Sequence, residues 1–237
     1  MVRLLFLRSC WYRLNHEMTF ENRAQGGPPT VSDVYRLTWP TLLKYFGELL
    51  VLSILWWLLS LPAGYSSGGG LSRALALSYQ ILVLGPLSFG GLYAYLETVR
   101  GRAPEVGLLF TAFQRCYWPS VVANFLLLAA IMLGVAMLIV PGVFLAVRLA
   151  FVPFLVVDEL REPIQAFQES WRRTAPIGWT IFGVMVVALL IAVGGLLLLV
   201  VGIIPALMWI NLAVARLFAD ATEHDRRRPT IDLGLSA

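Results

Sequence analysis

From Ile177 to Ala215 the chain runs for 39 residues without one charged side chain. As a single straight helix, at 1.5 Å per residue, that stretch would reach about 58 Å, roughly twice the hydrocarbon thickness of a bilayer. It has to reverse, and Gly194, Gly195, Gly202 and Pro205 stand where it can. The expectation is a pair of apolar helices, about 177–199 and 203–219, lying back to back.

Four more apolar stretches precede this pair: Leu42–Leu61, Leu75–Leu96, Val121–Val140 and Val143–Val157. The chain is 59% hydrophobic and 14% charged. A soluble domain is about 45–50% apolar and 25% charged, so this excess exceeds what one soluble core absorbs. The composition predicts an all-α integral membrane protein of six transmembrane helices arranged as three hairpins. A short amphipathic segment precedes each hairpin. Val31, Val34, Tyr35, Thr38 and Trp39 share one helical face; Leu109, Phe113 and Tyr117 form a second stripe within 105–117; Ile164, Phe167 and Trp171 form a third. Thr30 stands as the N-cap of the first, and Pro163 opens the third where its missing N–H costs nothing.

The distribution of charge orients the spans. Residues 62–72, the turn at Pro141-Gly142 and the turn near Gly202 carry no charged side chain, and Arg73 alone stands at an edge. Apart from Arg73 and Arg148, every basic residue falls on the opposite side, which by the positive-inside rule places both termini in the cytoplasm. The net charge of +4 is therefore read as topology. The Arg226-Arg227-Arg228 run is too short to argue nucleic-acid binding.

The three hairpins share a local signature. Arg36-x-x-Trp39-Pro40 matches Arg115-x-x-Trp118-Pro119, and Arg173-x-x-Pro176 repeats it without the tryptophan. A phenylalanine follows six residues after each proline, at Phe46, Phe125 and Phe182. Each second span has a proline in it or at its entry (Pro86, Pro141, Pro205) and ends near an acid (Glu97, Asp158, Asp220). Proline redirects the chain into the bilayer, tryptophan suits the interface and arginine suits phosphate. These matches predict an internal triplication over 31–102, 105–160 and 162–222. Residues 1–30 form an interfacial or disordered segment, with Leu4, Leu7, Trp11 and Leu14 on one face and Met18 as an alternative start; residues 223–237 form a polar, loose tail.

Few side chains carry chemistry. Arg148 lies about seven residues, or roughly 10 Å, from the outer turn, near mid-bilayer. A charge there costs something like 2.5–3.5 kcal/mol on insertion scales and needs a partner. Either it meets a substrate or lipid phosphate inside the bundle, or it caps carbonyls freed by Pro141 or Pro153 or snorkels outward; the second is the plainer expectation. Glu48 stands one turn past Lys44, where an i,i+4 pair is expected ahead of a proton relay. Asn124 and Asn211 are candidates for hydrogen bonds between spans. Arg36, Arg115, Arg172 and Arg173 are placed for lipid phosphates. Asp158, Glu159, Glu162 and Glu169 resemble a carboxylate cluster, but Arg161, Arg172 and Arg173 interleave with them, which predicts a solvated ion-pair surface. Cys10 and Cys116 make no metal spacing with His16 or His224, and no metal or cofactor is expected.

Three stretches carry a likeness: Val140-Pro-Gly-Val-Phe-Leu-Ala-Val-Arg148, Phe151-Val-Pro-Phe-Leu-Val-Val-Asp-Glu159 and Ala166-Phe-Gln-Glu-Ser-Trp171. Over roughly residues 31–222 the chain resembles the six-span membrane domain fused to some glycerophosphodiester phosphodiesterases, which also occurs alone in bacterial inner-membrane proteins of the YciC type. The resemblance implies an architecture and a bacterial inner-membrane location. It implies no hydrolysis, because the soluble phosphodiesterase domain and its metal-binding carboxylates and histidines are missing here. The expected role is a non-enzymatic scaffold, lipid-associated factor or accessory subunit, with membrane lipids and other membrane subunits as partners. A small-solute or lipid transporter or channel is the alternative, and a membrane enzyme of lipid metabolism comes last.

Overall fold

The computed structural model describes residues 30–64, 70–137, 139–197 and 203–227. Those residues are overwhelmingly helical, with no strand among them. The N-terminal stub, the turn at 65–69, the turn at Gly202 and the tail from residue 228 lie outside the described residues.

The helices are α1 (Val31–Lys44), α2 (Phe46–Gly64), α3 (Gly70–Tyr79), α4 (Gly85–Val99), α5 (Thr111–Arg115), α6 (Tyr117–Met137), α7 (Ile139–Arg148), α8 (Val152–Val157), α9 (Pro163–Thr174), α10 (Gly178–Leu197) and α11 (Ile203–Arg227). A π turn at Gln80–Leu84 joins α3 to α4, and a 3-10 turn at Val106–Phe110 leads into α5. Four helical stretches are long and apolar enough to cross a membrane: Gly70–Val99, Tyr117–Gly134, Gly178–Gly195 and Ile204–Glu223. A fifth candidate is the pair α1 and α2, bent by 90° between Lys44 and Phe46.

Several bends differ from expectation. Pro40 was expected to start the first spanning helix, yet it lies inside α1, and the chain turns five residues later at Tyr45. The Tyr45 hydroxyl donates to the Gly101 carbonyl at 3.2 Å, which ties the bend to the end of α4. In the second unit the break is Cys116, three residues before Pro119; in the third, the turn 175–177 contains Pro176. Proline is tolerated in a first helical turn, so it marks these entries only to within a few residues. Thr30 is the N-cap of α1, but its hydroxyl bonds the Asp33 carboxylate at 2.5 Å and makes no side-chain cap to the backbone. The expected amphipathic helix over 105–117 is the 3-10 turn followed by the single turn of α5. Residues 223–227, expected to be loose, continue α11.

The expected fourth span is interrupted. α7 stops at Arg148, a turn occupies Leu149–Phe151, and α8 resumes at Val152. Pro153 accounts for the position of that restart, since it sits in the first turn of α8. Gly142, expected as part of the break, instead lies within α7 against Gly134 of α6. A Cβ on Gly134 would come 2.8 Å from the Gly142 Cα, so small residues here let two backbones meet.

α4 and α11 form the middle of the assembly. α11 touches α1, α2, α4 and α10, while α4 touches α2, α6, α8 and α11. The core between them includes Phe89, Leu96, Phe151, Phe154, Met208, Leu212 and Phe218, with Phe154 and Phe218 stacked at 5.0 Å. α6 and α10 are peripheral. Their outer faces expose Leu133, Leu189 and Leu190 by about two thirds.

Tyrosine hydroxyls stitch this apolar assembly together by donating to main-chain carbonyls. Tyr35 reaches Val184 at 2.9 Å and Tyr79 reaches Leu59 at 2.8 Å. Tyr117 reaches Leu82 at 3.2 Å. The last has a local cause: Pro86, four residues on, has no N–H to offer the Leu82 carbonyl, and the tyrosine supplies the donor.

Candidate functional site

The richest polar chemistry lies where the ends of α4, α8, α9 and α11 meet. α4 closes with Gly101 at φ 87°, the Arg102 N–H bonding the Glu97 carbonyl and the Gly101 N–H bonding that of Thr98. This glycine-dependent closure turns the chain back so that the side chains of Arg100 and Arg102 both reach Glu97. The Arg100 Nη1 donates to Glu97 at 3.0 Å, and Arg102 makes a second, very short contact to the same carboxylate. Glu97 itself is buried, its side chain only 4% exposed.

Arg100 also forks onto Asp158, at 2.6 and 2.7 Å, linking the end of α4 to the end of α8. The geometry is bidentate, the form in which an arginine–carboxylate pair is strongest. Leu160 takes φ 51° just beyond, and Glu159 turns toward Arg161 (2.9 Å) and Arg173 (2.6 Å). Arg173, with a side chain 7% exposed, donates to Glu159, to Glu169 at 2.7 Å and to the Thr222 hydroxyl at 3.2 Å. Arg172 completes the network through Glu169 at 2.7 Å and Asp225 at 2.9 Å. The side chains surround an open cleft of about 670 Å³ lined by Arg100, Arg102, Asp158, Glu159, Arg173, Thr222 and Asp225.

Three arginines and three carboxylates line this cleft, so its charges compensate one another. Arg172, hydrogen-bonded to Glu169, together with Arg173 holds that carboxyl down to about 2. The sign follows directly. A carboxylate depressed in the folded protein contributes stability in full above its ordinary value of 4.5, and that contribution disappears as pH falls through about 2. Glu169→Gln is therefore expected to lower the thermal midpoint at neutral pH and to converge with the parent protein in acid. Melts in one detergent across that range would test this; a constant gap would assign the loss to packing.

The sequence-derived candidates distribute unevenly over this geometry. Arg172 and Arg173, expected to face lipid phosphates, are instead committed to Glu159, Glu169 and Asp225. Arg36 and Arg115 are exposed on α1 and at the end of α5. Glu48 lies exposed in the first turn of α2, across the 90° bend from Lys44, so the two are no longer neighbours on one helix. Lys44 sits 4.6 Å over the Tyr45 ring.

Asn124 packs against Gly85, where a Cβ would come 2.6 Å from its amide nitrogen. The Tyr95 hydroxyl meets Ser53 at 3.1 Å and has the Asn211 side chain as a neighbour, so α2, α4 and α11 bring polar groups to one place. Among the described residues no three His, Cys, Asp or Glu side chains converge for a metal. The Cys116 thiol is pushed up by burial, away from nucleophilic use.

Arg148 is not where a straight span would put it. Its carbonyl accepts the Ser170 hydroxyl at 2.7 Å and the Thr174 hydroxyl at 3.2 Å, which brings the end of α7 to the level of α9. Its guanidinium lies over Phe144 and Trp171, at 5.2 and 5.3 Å. Sequence reasoning saw the alternation of acids and arginines over 158–173. It noted Glu97 only as the acid closing a span and missed Arg100, Arg102, Thr222 and Asp225, whose recurrence at helix ends was the available signal. Compared with family models, curated proteins and solved structures, the chain matches none of them.

Proposed function

We propose that the chain is a non-enzymatic integral membrane protein, a lipid-associated scaffold or accessory subunit of a larger membrane complex. It crosses the bacterial inner membrane six times as three hairpins, each led by an interfacial helix, with the ion-paired helix ends and both termini on the cytoplasmic side. The fourth crossing is the interrupted pair α7 and α8, whose 19 residues would reach about 28 Å if run on, close to the hydrocarbon thickness. The leucine-rich outer faces of α6 and α10 and the exposed Trp39, Trp118, Trp171 and Trp179 support immersion in lipid. The likeness to the membrane domain of some phosphodiesterases supports the same architecture.

One observation carries the non-enzymatic reading. Glu97, Asp158, Glu159 and Glu169 each hold an arginine, which commits these carboxylates to joining helix ends. A cleft so compensated favours holding helices together over chemistry. Reporter tags at Ser67 and after Ala237 are expected to face opposite compartments; the same compartment would overturn the topology. Extraction in mild detergent should bring a protein or lipid partner with the chain, and turnover of a mixed lipid substrate would reject the reading. The node of Ser53, Tyr95 and Asn211 favours a second reading, a small-solute or lipid transporter; flux in proteoliposomes that Asn211→Leu abolishes would select it.

A further inference from the structure

Arg100, Arg172 and Arg173 each hold at least one carboxylate. Arg148 holds none among the described residues, and its Nη1 is buried without a hydrogen-bond partner there. The backbone beneath it is nonetheless fixed, because Ser170 and Thr174 both donate to its carbonyl. Two aromatic rings bracket the guanidinium. Phe144 and Trp171 touch edge to face at 5.7 Å, and each is close to half exposed. They open on the same side as Ile164, the exposed apolar residue two turns earlier on α9. The ion-paired face of α9 points elsewhere, through Glu169 and Arg173.

A guanidinium walled by aromatic rings and facing the apolar surface lacks the anion that Arg100, Arg172 and Arg173 have. A cation in such surroundings is costly until a counter-charge with matching acceptors reaches it. The planar fork of arginine fits a phosphate better than any neutral group, and the ring faces give an apolar lining for what a phosphate ester carries. We propose that Arg148, set between Phe144 and Trp171, is a phosphate site filled by the headgroup of a membrane phospholipid. The proposal rests on the reading of the chain as membrane-embedded, because only then is this face beside lipid.

The test uses the full chain, purified in detergent and stripped of lipid, with binding followed by native mass spectrometry. Phosphatidylglycerol is expected to bind at one tight site per chain. Arg148→Met should weaken that site by about tenfold, as loss of a charge-assisted pair implies. Trp171→Leu should weaken it several-fold with the charge intact, and Arg148→Lys should fall between, so the test survives if the methionine variant does not fold. Diacylglycerol, which lacks phosphate, should not occupy the site. Competition by millimolar inorganic phosphate would keep the phosphate assignment and name a soluble source for it. The proposal is overturned if both Arg148→Met and Trp171→Leu titrate like the parent chain, or if diacylglycerol binds as well as phosphatidylglycerol. Recovery of the parent chain in the aqueous fraction of cells would instead reject the membrane reading, whereas unchanged lipid binding in a membrane-embedded chain rejects this site alone.

Discussion

Arg173→Met is expected to destabilise the folded chain by about 3 kcal/mol, near the lower end for breaking one side of a buried ion pair. Arg173 is 7% exposed and holds Glu159, Glu169 and Thr222 together. Removing it leaves two carboxylates that were placed to face it. Arg161 and Arg172 remain beside them, which keeps the loss from being larger. Arg172→Met provides the contrast. Its side chain is 60% exposed, so its pairs are screened by water and should contribute about 1 kcal/mol or less. Thermal melts of both variants in one detergent separate the cases. Equal losses would show that the network works through general surface charge and not through the enclosed guanidinium.

Gly90→Ala is expected to cost about 3 kcal/mol or to force α4 away from the 3-10 turn at Val106–Phe110. A Cβ at Gly90 would lie 2.0 Å from the Leu109 carbonyl oxygen and 2.7 Å from its carbon. Those are backbone atoms of a neighbouring segment and cannot rotate away. The adjacent glycine supplies the control: a Cβ at Gly91 meets only a Leu109 methyl, at 3.5 Å. Gly91→Ala should therefore be neutral or stabilising by about 0.5–1 kcal/mol, the ordinary helical gain. Gly85→Ala lies between, since the obstacle there is the side chain of Asn124, which can swing. If Gly90→Ala and Gly91→Ala melt together, the close approach of α4 to the 3-10 turn is not a constraint.

The contrast between neighbouring glycines shows what a linear reading misses. Apolar stretches were legible because bilayer thickness sets a length that few other environments demand. The candidate span from Gly178 and the one from Ile204 both fall within the 39 uncharged residues or run on from them. Bends were less legible. Proline tells where a helix can begin but not which residue before it gives way, so Pro40 marked a turn that occurs at Tyr45. The ionic cleft was half visible: local alternation of Glu159, Arg161, Glu169 and Arg173 was on the page, whereas the pairing of Arg100 with Asp158 joins residues 58 apart and depends on how two helices end side by side. Arg148 was expected on a straight span, and the path of the chain around it was not legible. The turn at Leu149–Phe151 ends α7 there and brings the Arg148 carbonyl to Ser170 and Thr174 of α9.

The position of α11 bears on how the molecule is made. It follows every other described helix along the sequence, yet it stands at the centre, against α1, α2, α4 and α10. Without it, Thr38 lacks the Trp209 indole that bonds it at 3.1 Å. The middle of the fold is thus closed by the described helix furthest along the chain, and the earlier helices reach their full set of contacts only with α11 in place.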